Sequence, residues 1–135
     1  MENCIFCKIV EKKIDSTIVD ETENSLAFLD IMPVQKGHTL VVPKGHFETL
    51  MDTPDNVLQE VITEVKKVAK AVKLATSADG ISIINRNRKS AGQEVDHLHF
   101  HIIPRHPDDG LKSWHGGKYA EGEEVEFGEK IKTEI

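Results

Sequence analysis

The sequence predicts an α+β protein, with an antiparallel sheet of about five strands and one long helix packed on a face of that sheet. Two observations carry this prediction. Short runs of β-branched and apolar residues, bounded by turn-forming residues, predict strands at 17–20, 25–29, 39–42, 80–84 and 98–103. Between the third and fourth runs, apolar residues recur at helical spacing over about five turns.

The first predicted elements along the chain are short. Residues 4–11 predict a helix on which Ile5, Phe6 and Ile9 share one face. The polar turn 21–24 then joins the first two strands, and a proline-containing break follows the second. The chain therefore enters the sheet through a short helix and two strands joined by a turn.

The long helix has a clear predicted start at Thr53-Pro54-Asp55. These residues offer a hydroxyl for the N-cap, a proline at the first helical position and an acid in the first turn. Apolar residues then line one side, and lysines and glutamates line the other. The apolar side is expected to cover the sheet. A further short helix could begin near Glu121.

The length of 135 residues suits a single domain. Its core is expected to span 4–105, followed by a polar, Gly-rich tail over 106–135. No run approaches the roughly 18 apolar residues that predict a membrane span. The N-terminus has Glu2 and two cysteines where a secretory signal would have a basic segment and a long apolar run. A cytoplasmic protein without a membrane partner is therefore expected.

The charge of the chain bears on its partners. The formal net charge of −6 at pH 7 argues against general binding to nucleic acid, whose affinity rests on Lys and Arg contacts to phosphates. It does not argue against binding one small nucleotide, because a pocket can be locally positive on an acidic protein.

The two cysteines, Cys4 and Cys7, are too few for a disulfide framework, and their spacing points to metal or redox chemistry. A thioredoxin-like use would need a preceding strand within a βαβ unit, yet only three residues precede Cys4. A zinc site is the favoured interpretation, and two ordinary reduced cysteines are the alternative.

The run HLHFHII at 97–103 carries the strongest functional signal. Alternate residues of a strand share a face and lie roughly 6.5–7 Å apart. His97, His99 and His101 therefore point one way, and the apolar residues between them point the other way. Core packing explains the apolar side but not three imidazoles in a row. Two chemistries would use them: zinc ligation with a metal-bound water as nucleophile, or attack on phosphate by a neutral imidazole.

Further motifs surround this run. Gly92-Gln93 lies just before it, Pro104-Arg105 lies just after it, and Asp30-Ile31-x-Pro33 and Gly37-His38-Thr39 lie upstream. With these motifs, over roughly residues 4–105, the sequence resembles the histidine triad (HIT) family of nucleotide hydrolases and transferases. The resemblance implies an antiparallel sheet with two helices, and a homodimer in which the sheets of two copies join.

The resemblance also implies a reaction. The middle histidine, His99, would attack the α-phosphorus of a purine nucleotide and form a nucleotidyl-histidine intermediate that water resolves. His101 would bind phosphate oxygens and protonate the leaving group. Further nucleotide contacts are implied for Asp30 with the ribose, Ile31 with the base, and Asn85 and Gln93 near the phosphates.

The leaving group stays open at this point. A nucleoside phosphoramidate, a dinucleoside polyphosphate or a related adenylylated compound would each suit this chemistry. The alternative function is a nucleotide-binding regulatory or scaffold protein with weak turnover, because an intact His99 does not exclude it.

The HIT branch with a Cys-x-x-Cys pair implies one structural Zn²⁺ per chain. In this sequence the implied ligands are Cys4, Cys7, His46 and His97. Two thiolates and two neutral imidazoles saturate a tetrahedral Zn²⁺ with no net charge, which suits a closed structural site.

The sequence departs from the HIT pattern beside the phosphates. Relatives place Asn or Gln where this chain has Arg86, between Asn85 and Asn87. Either a shift of register brings one of the asparagines to the phosphates, or Arg86 contacts them directly. Glu94 replaces a frequent Ser or Thr, and His38 is expected to be structural.

Overall fold

Five strands form one antiparallel sheet in the computed structural model, which describes residues 1–135. In chain order the strands are β1 (Ile18–Glu21), β2 (Ser25–Leu29), β3 (Thr39–Pro43), β4 (Gly80–Asn85) and β5 (Phe100–Arg105). Their order across the sheet is β1-β2-β3-β5-β4, so β1 and β4 are the edge strands. The predicted α+β class and the five antiparallel strands are confirmed.

Three α-helices accompany the sheet: α1 (Ile5–Val10), α2 (Asp55–Thr76) and α3 (Glu123–Glu134). A 3₁₀ turn at Lys89–Ala91 lies in the loop between β4 and β5. The predicted long helix is confirmed as α2, which has 22 residues. Its C-cap, Ser77, adopts the left-handed conformation. The predicted short helices at the two ends of the chain correspond to α1 and α3.

The predicted start of α2 is wrong in one detail. Pro54, with ψ at 145°, is the N-cap itself, and it makes no side-chain capping bond. The hydroxyl of Thr53 is buried and donates to the carbonyl of Thr49 at 2.7 Å, and Thr53 lies one residue before the observed N-cap. The preceding turn therefore takes the hydroxyl that the sequence pattern assigned to the cap.

The two faces of the sheet carry different apolar clusters. One cluster joins the sheet to α2 and contains Ala27, Val41, Val61, Val65, Val68, Val72, Leu98, Phe100 and Ile102. The other lies on the opposite face beneath α1 and contains Cys4, Phe6, Cys7, Ile9, Leu26, Phe28, Leu40 and Val42. Alternate residues of β2 and β3 enter opposite clusters, so both strands are buried on both faces.

The last strand begins later than predicted, at Phe100 instead of Leu98. The N–H of Leu98 donates to the carbonyl of Phe47 at 2.6 Å, so this part of the chain pairs with the loop after β3. Side chains nevertheless alternate through the whole segment. Leu98 and Phe100 pack beneath α2, and His99 packs on the opposite face against Phe6.

The C-terminal helix α3 buries none of its residues. None of the helices combines the length and the apolarity that crossing a membrane requires. The cytoplasmic location expected from the N-terminus stays a prediction.

Truncating Val61, a fully buried residue of α2, tests the position of the larger core. Val61→Ala is expected to lower the free energy of unfolding by about 2 kcal/mol, because it removes two methyl groups and leaves a cavity. Urea unfolding of the zinc-loaded protein measures the change. Leu74→Ala, on the same helix but 82% exposed, is the control and should change stability by less than about 0.5 kcal/mol. Equal losses would contradict the assigned face.

Candidate functional site

Two thiols and two imidazoles meet where α1 approaches β5. Cys4 is the N-cap of α1 and Cys7 lies in its first turn, whereas His46 follows β3 and His97 precedes β5. The Sγ of Cys4 lies 3.4 Å from Nδ1 of His97, and the Sγ of Cys7 lies 3.4 Å from Nδ1 of His46. All four ligand atoms lie within 4.8 Å of one another.

These distances fit a tetrahedral zinc ion. Usual Zn–S and Zn–N bond lengths place a sulfur and a nitrogen about 3.6 Å apart on the edge of the tetrahedron. The third such separation, from Cys7 Sγ to His97 Nδ1, is 3.6 Å. The four residues form a possible metal-binding group whose donor set is one that Zn²⁺ prefers.

The proton on His97 is placed as a ligand requires. Its Nε2 lies 2.8 Å from the carbonyl of Pro43, and a carbonyl only accepts, so Nε2 carries the proton. Nδ1 then presents its lone pair to the sulfurs, which is the usual arrangement for a ligating histidine. Burial lowers the pKa of His97 to about 4, so the ring is neutral at pH 7.

A cavity of about 610 Å³ lies on the face of the sheet that α1 covers, and the two cysteines are not among its lining residues. This size is within the usual range for small-molecule sites. Its walls are mostly apolar, and α1 supplies Ile5, Phe6 and Ile9 to one of them. Its polar lining residues are Asp15, Ser16, Asp30, His38, Arg86, Glu94, His99 and His101.

His99 is held as a neutral ring with one free nitrogen. Its Nδ1 lies 2.7 Å from the carbonyl of His97, so Nδ1 carries the proton and Nε2 has the lone pair. The amide of Asn85 donates to the carbonyl of His99 at 3.0 Å and fixes the backbone there. Burial lowers the pKa of His99 below the ordinary value near 6.5.

His101 is oriented by a chain of hydrogen bonds that begins at the backbone. The N–H of Val34 donates to Nδ1 of His38 at 3.2 Å, so a neutral His38 carries its proton on Nε2. This Nε2–H donates to Nδ1 of His101 at 2.9 Å. The proton of a neutral His101 is therefore on Nε2. Burial lowers the pKa of both rings, that of His101 to about 4.

The ligand atoms of Asp30, His38 and His101 also lie within 4.8 Å of one another. Two nitrogens that share a zinc ion would be about 3.3 Å apart. The 2.9 Å between His38 and His101 is instead a hydrogen-bond distance, and the neighbouring Asp30 oxygen lies 3.7 Å from His38. This group therefore fits a hydrogen-bonded network better than a metal site.

His38 is the residue whose importance the sequence did not reveal. It was expected to be structural, and the structure places it in the cavity beside His101. Its position just before β3 was visible in the sequence, but the pairing of β3 with β5 was not.

The predicted nucleotide contacts divide into two groups. Asp30, Ile31, His99 and His101 line the cavity. Asn85 and Gln93 are not among the lining residues, and the structure does not bring them to it. The Nε2 of Gln93 donates to the carbonyl of Glu48 at 2.6 Å, and its Oε1 accepts from the N–H of Arg88 at 2.7 Å. Gln93 thus anchors the loop before the histidines.

A sequence profile described as the HIT domain matches residues 11–108, more than half of the chain. The chain belongs to the HIT family. A HIT-like protein of Methanocaldococcus jannaschii is 47% identical over 129 residues, which is 96% of each chain. The adenosine 5′-monophosphoramidase of Schizosaccharomyces pombe is 39% identical over 135 residues and 98% of each chain.

Solved HIT structures agree with the fold. A HIT family protein from Bacillus subtilis superimposes with a TM-score of 0.92 and 38% identity, over 98% of this chain and 97% of that one. A Zn-bound histidine triad protein from Mycobacterium smegmatis superimposes with a TM-score of 0.79 and 36% identity, over 87% of this chain and 85% of that one.

Phe6 links the two parts of this HIT site. Its ring packs edge-on against His97 and His99, with centroids 5.9 and 5.1 Å away. Since Phe6 lies between Cys4 and Cys7, anchoring those cysteines also positions the ring that supports His99.

We expect one Zn²⁺ per chain at the cysteine–histidine group, and Cys7→Ser should lower its affinity by about tenfold or more, because a thiolate ligand is lost. Metal analysis after dialysis against a competing chelator measures this affinity. Absorption of the Co²⁺-loaded protein reports thiolate ligation.

His38→Ala is the matched control, because His38 belongs to the other cluster of possible ligands. This variant should keep one ion per chain. If His38→Ala lost the ion and Cys7→Ser kept it, the metal would lie at the group of Asp30, His38 and His101, and the zinc assignment would be wrong.

Proposed function

We propose that this HIT protein hydrolyses a purine nucleotide derivative at the α-phosphorus through a covalent intermediate on His99. The bond between His99 Nδ1 and the carbonyl of His97 carries this proposal, because it leaves Nε2 unprotonated on a ring that lines the cavity. An imidazole in this state is a competent nucleophile at neutral pH. Relatives named adenosine 5′-monophosphoramidase, 39% and 47% identical, support the same reaction class.

The reaction proceeds in two displacements. Nε2 of His99 forms a bond to the α-phosphorus while the bond from phosphorus to the leaving group breaks. The ring is then cationic, and the carbonyl of His97 stabilises the proton on Nδ1. Water next attacks phosphorus, the P–N bond breaks, and the nucleoside monophosphate leaves. An acceptor other than water would give a transferase.

His101 donates a hydrogen bond from Nε2–H to the leaving group, which takes its proton from solvent, because a neutral ring that gave up its only proton would become an anion. Its Nδ1 accepts from His38, so its own proton is on Nε2 and available to the cavity. Asp30 and Ile31, which also line the cavity, bind the ribose hydroxyls and the base. His38 acts through His101, as a positioning residue.

Zinc has a structural role in this proposal. Cys4, Cys7, His46 and His97 would together complete a four-coordinate site, which would leave no position for a catalytic water. When bound, the ion ties the N-terminal segment to the sheet beside the histidines. A hydrolase based on zinc-bound water would need an open ligand position.

We also propose a homodimer formed through β4. This strand is an edge of the sheet, and an edge strand offers unpaired backbone groups to a second strand. Ile83 on this strand is 44% exposed. Pairing of two copies through β4 would continue the sheet and cover this residue.

The second candidate function is a nucleotide-binding scaffold with weak turnover. The open apolar cavity favours it as much as the enzyme, since both need a nucleotide bound at Ile31. The two functions differ in whether His99 becomes modified.

Adenosine 5′-phosphoramidate should label His99 in the native protein, and mass spectrometry of the quenched reaction should find an added adenylyl group. His99→Ala should show no adduct and lose at least about a thousandfold in kcat, in the range seen when a nucleophile is removed. Equal, slow release of the nucleotide by both proteins would refute the covalent mechanism.

Cys4→Ala should be less stable yet still form the adduct, which a zinc-water mechanism does not allow.

The pH dependence of labelling tests the state of His99. Because burial lowers the pKa of the ring, the reactive neutral form stays dominant below pH 6.5. Between pH 7.5 and 6 the single-turnover rate should fall by less than the roughly fourfold loss of neutral form expected for a ring of ordinary pKa. Zinc content measured at each pH is the control. A rate profile with its midpoint near pH 6.5, measured on protein that keeps its full zinc content, would contradict the lowered pKa of His99.

A further inference from the structure

Arg86 lies in the same cavity as His99 and His101, directly after the neighbouring strand β4. In the pairing of β4 with β5, Ile84 is opposite His101 and Asn85 is opposite Phe100. Arg86 directly follows this paired stretch on the β4 side, and His99 directly precedes it on the β5 side. Because side chains alternate, Ile84 and Arg86 share the cavity face and Asn85 does not. The sequence left open whether Arg86 or one of the asparagines beside it contacts the phosphates, and this alternation places Arg86 in the cavity.

The loop before β5 is shaped around the guanidinium of Arg86. Gly92 has φ at +92°, and a Cβ there would lie 2.7 Å from Nη1 of Arg86. Nη1 also donates to the carbonyl of Ala91 at 3.4 Å. A side chain at position 92 would displace the guanidinium, so the glycine leaves room for Arg86 within the cavity wall.

The charge of Arg86 is not neutralised by the protein. No carboxylate lies within ion-pair distance of its guanidinium, although Glu94 lines the same cavity. Its neighbour Arg88 differs, since that side chain pairs with Glu48 at 2.8 Å and is not a lining residue. An unpaired guanidinium in a cavity is a binding group for phosphate, with which it can form two parallel hydrogen bonds.

The position of Arg86 indicates which phosphate it meets. Across the sheet, Asp30 follows β2 and Arg86 follows β4, so they lie on opposite sides of the histidines of β5. A nucleoside at Asp30 and an α-phosphate at His99 leave the Arg86 side for whatever departs from phosphorus. Only an anionic leaving group would use a cation there.

We propose that Arg86 binds a phosphate of the leaving group and selects substrates in which the α-phosphate is joined to further phosphates, such as dinucleoside polyphosphates. The inference rests on the proposed function of His99. Nε2 of His99 bonds to the α-phosphorus, the P–O bond to the β-phosphate breaks, and its electron pair leaves on the polyphosphate. Arg86 stabilises this charge, so the departing polyphosphate needs no proton as it leaves. Water then releases the monophosphate.

The test compares one substrate of each kind. Arg86→Met, which keeps an unbranched apolar stem and removes the charge, should lower kcat/KM for diadenosine tetraphosphate by about 10- to 100-fold, the usual value of a hydrogen bond to a charged group. It should change kcat/KM for adenosine 5′-phosphoramidate, whose leaving group is ammonia, by less than about threefold. Arg86→Lys should recover part of the loss, because it restores the charge.

Arg88→Met is the matched control, since it removes a cation of the same loop that does not line the cavity. It should leave both substrates within about threefold. An equal loss on both substrates with Arg86→Met would overturn the proposal and assign Arg86 to the α-phosphate. An equal effect of Arg88→Met would also overturn the proposal. It would indicate that the positive charge of the loop as a whole, and no single arginine, favours the polyphosphate.

A binding experiment separates this inference from the proposed function. Calorimetric titration with ADP and AMP needs no turnover and no adduct on His99. The native protein should bind ADP more tightly than AMP, and Arg86→Met should remove that preference. If no adduct forms with either substrate but the ADP preference depends on Arg86, the covalent mechanism fails and the phosphate site stands. Equal affinities of the native protein for ADP and AMP would overturn the phosphate site.

Discussion

Alternation of side chains along 97–103 is the constraint on which the rest of the structure depends. Every second residue enters the apolar cluster beneath α2, where Leu98 and Ile102 are completely buried. The residues between them must face the other way, which places His97 and His99 under α1. The packing that stabilises the sheet therefore also sets the spacing and direction of the imidazoles. A shift of one residue would turn the three rings toward the apolar cluster beneath α2 and the apolar residues toward the cysteines and the cavity.

Backbone carbonyls then assign a state to each ring. Pro43 accepts from Nε2 of His97, whereas His97 accepts from Nδ1 of His99. Two chemically identical side chains thus present opposite nitrogens, one suited to a metal and the other to phosphorus. Burial keeps both rings neutral by lowering their pKa, since a charged ring loses more hydration than a neutral one. Tautomer and charge are properties of the surroundings, and the residue types alone do not determine them.

The sequence predicted those parts of the fold and site that depend on local periodicity or on motif spacing. The five strands, the long helix and the facing of His99 follow from periods of two and 3.6 residues. The zinc group was predicted from a resemblance, although its members lie up to 93 residues apart. The role of His38 and the contrast between Asn85 and Arg86 depend on the pairing of β5 with β3 and β4. Such pairings join distant parts of the chain, and no local pattern specifies them. The cap predicted at Thr53 does not form, because the helix begins one residue later, with Pro54 as its N-cap, and the Thr53 hydroxyl bonds within the preceding turn.

The helix α1 forms one wall of the cavity from outside the sheet. It supplies cavity-lining residues but forms no strand of the sheet, and the two cysteines that flank Phe6 attach it beside β5. Ile5, which lines the cavity and is partly exposed, is not a member of either apolar cluster. The shape of this wall can therefore diverge between relatives while the strands and the histidines stay the same. In this architecture one wall of the cavity and the reacting histidines are carried by separate segments, so that wall can change without rebuilding the histidines.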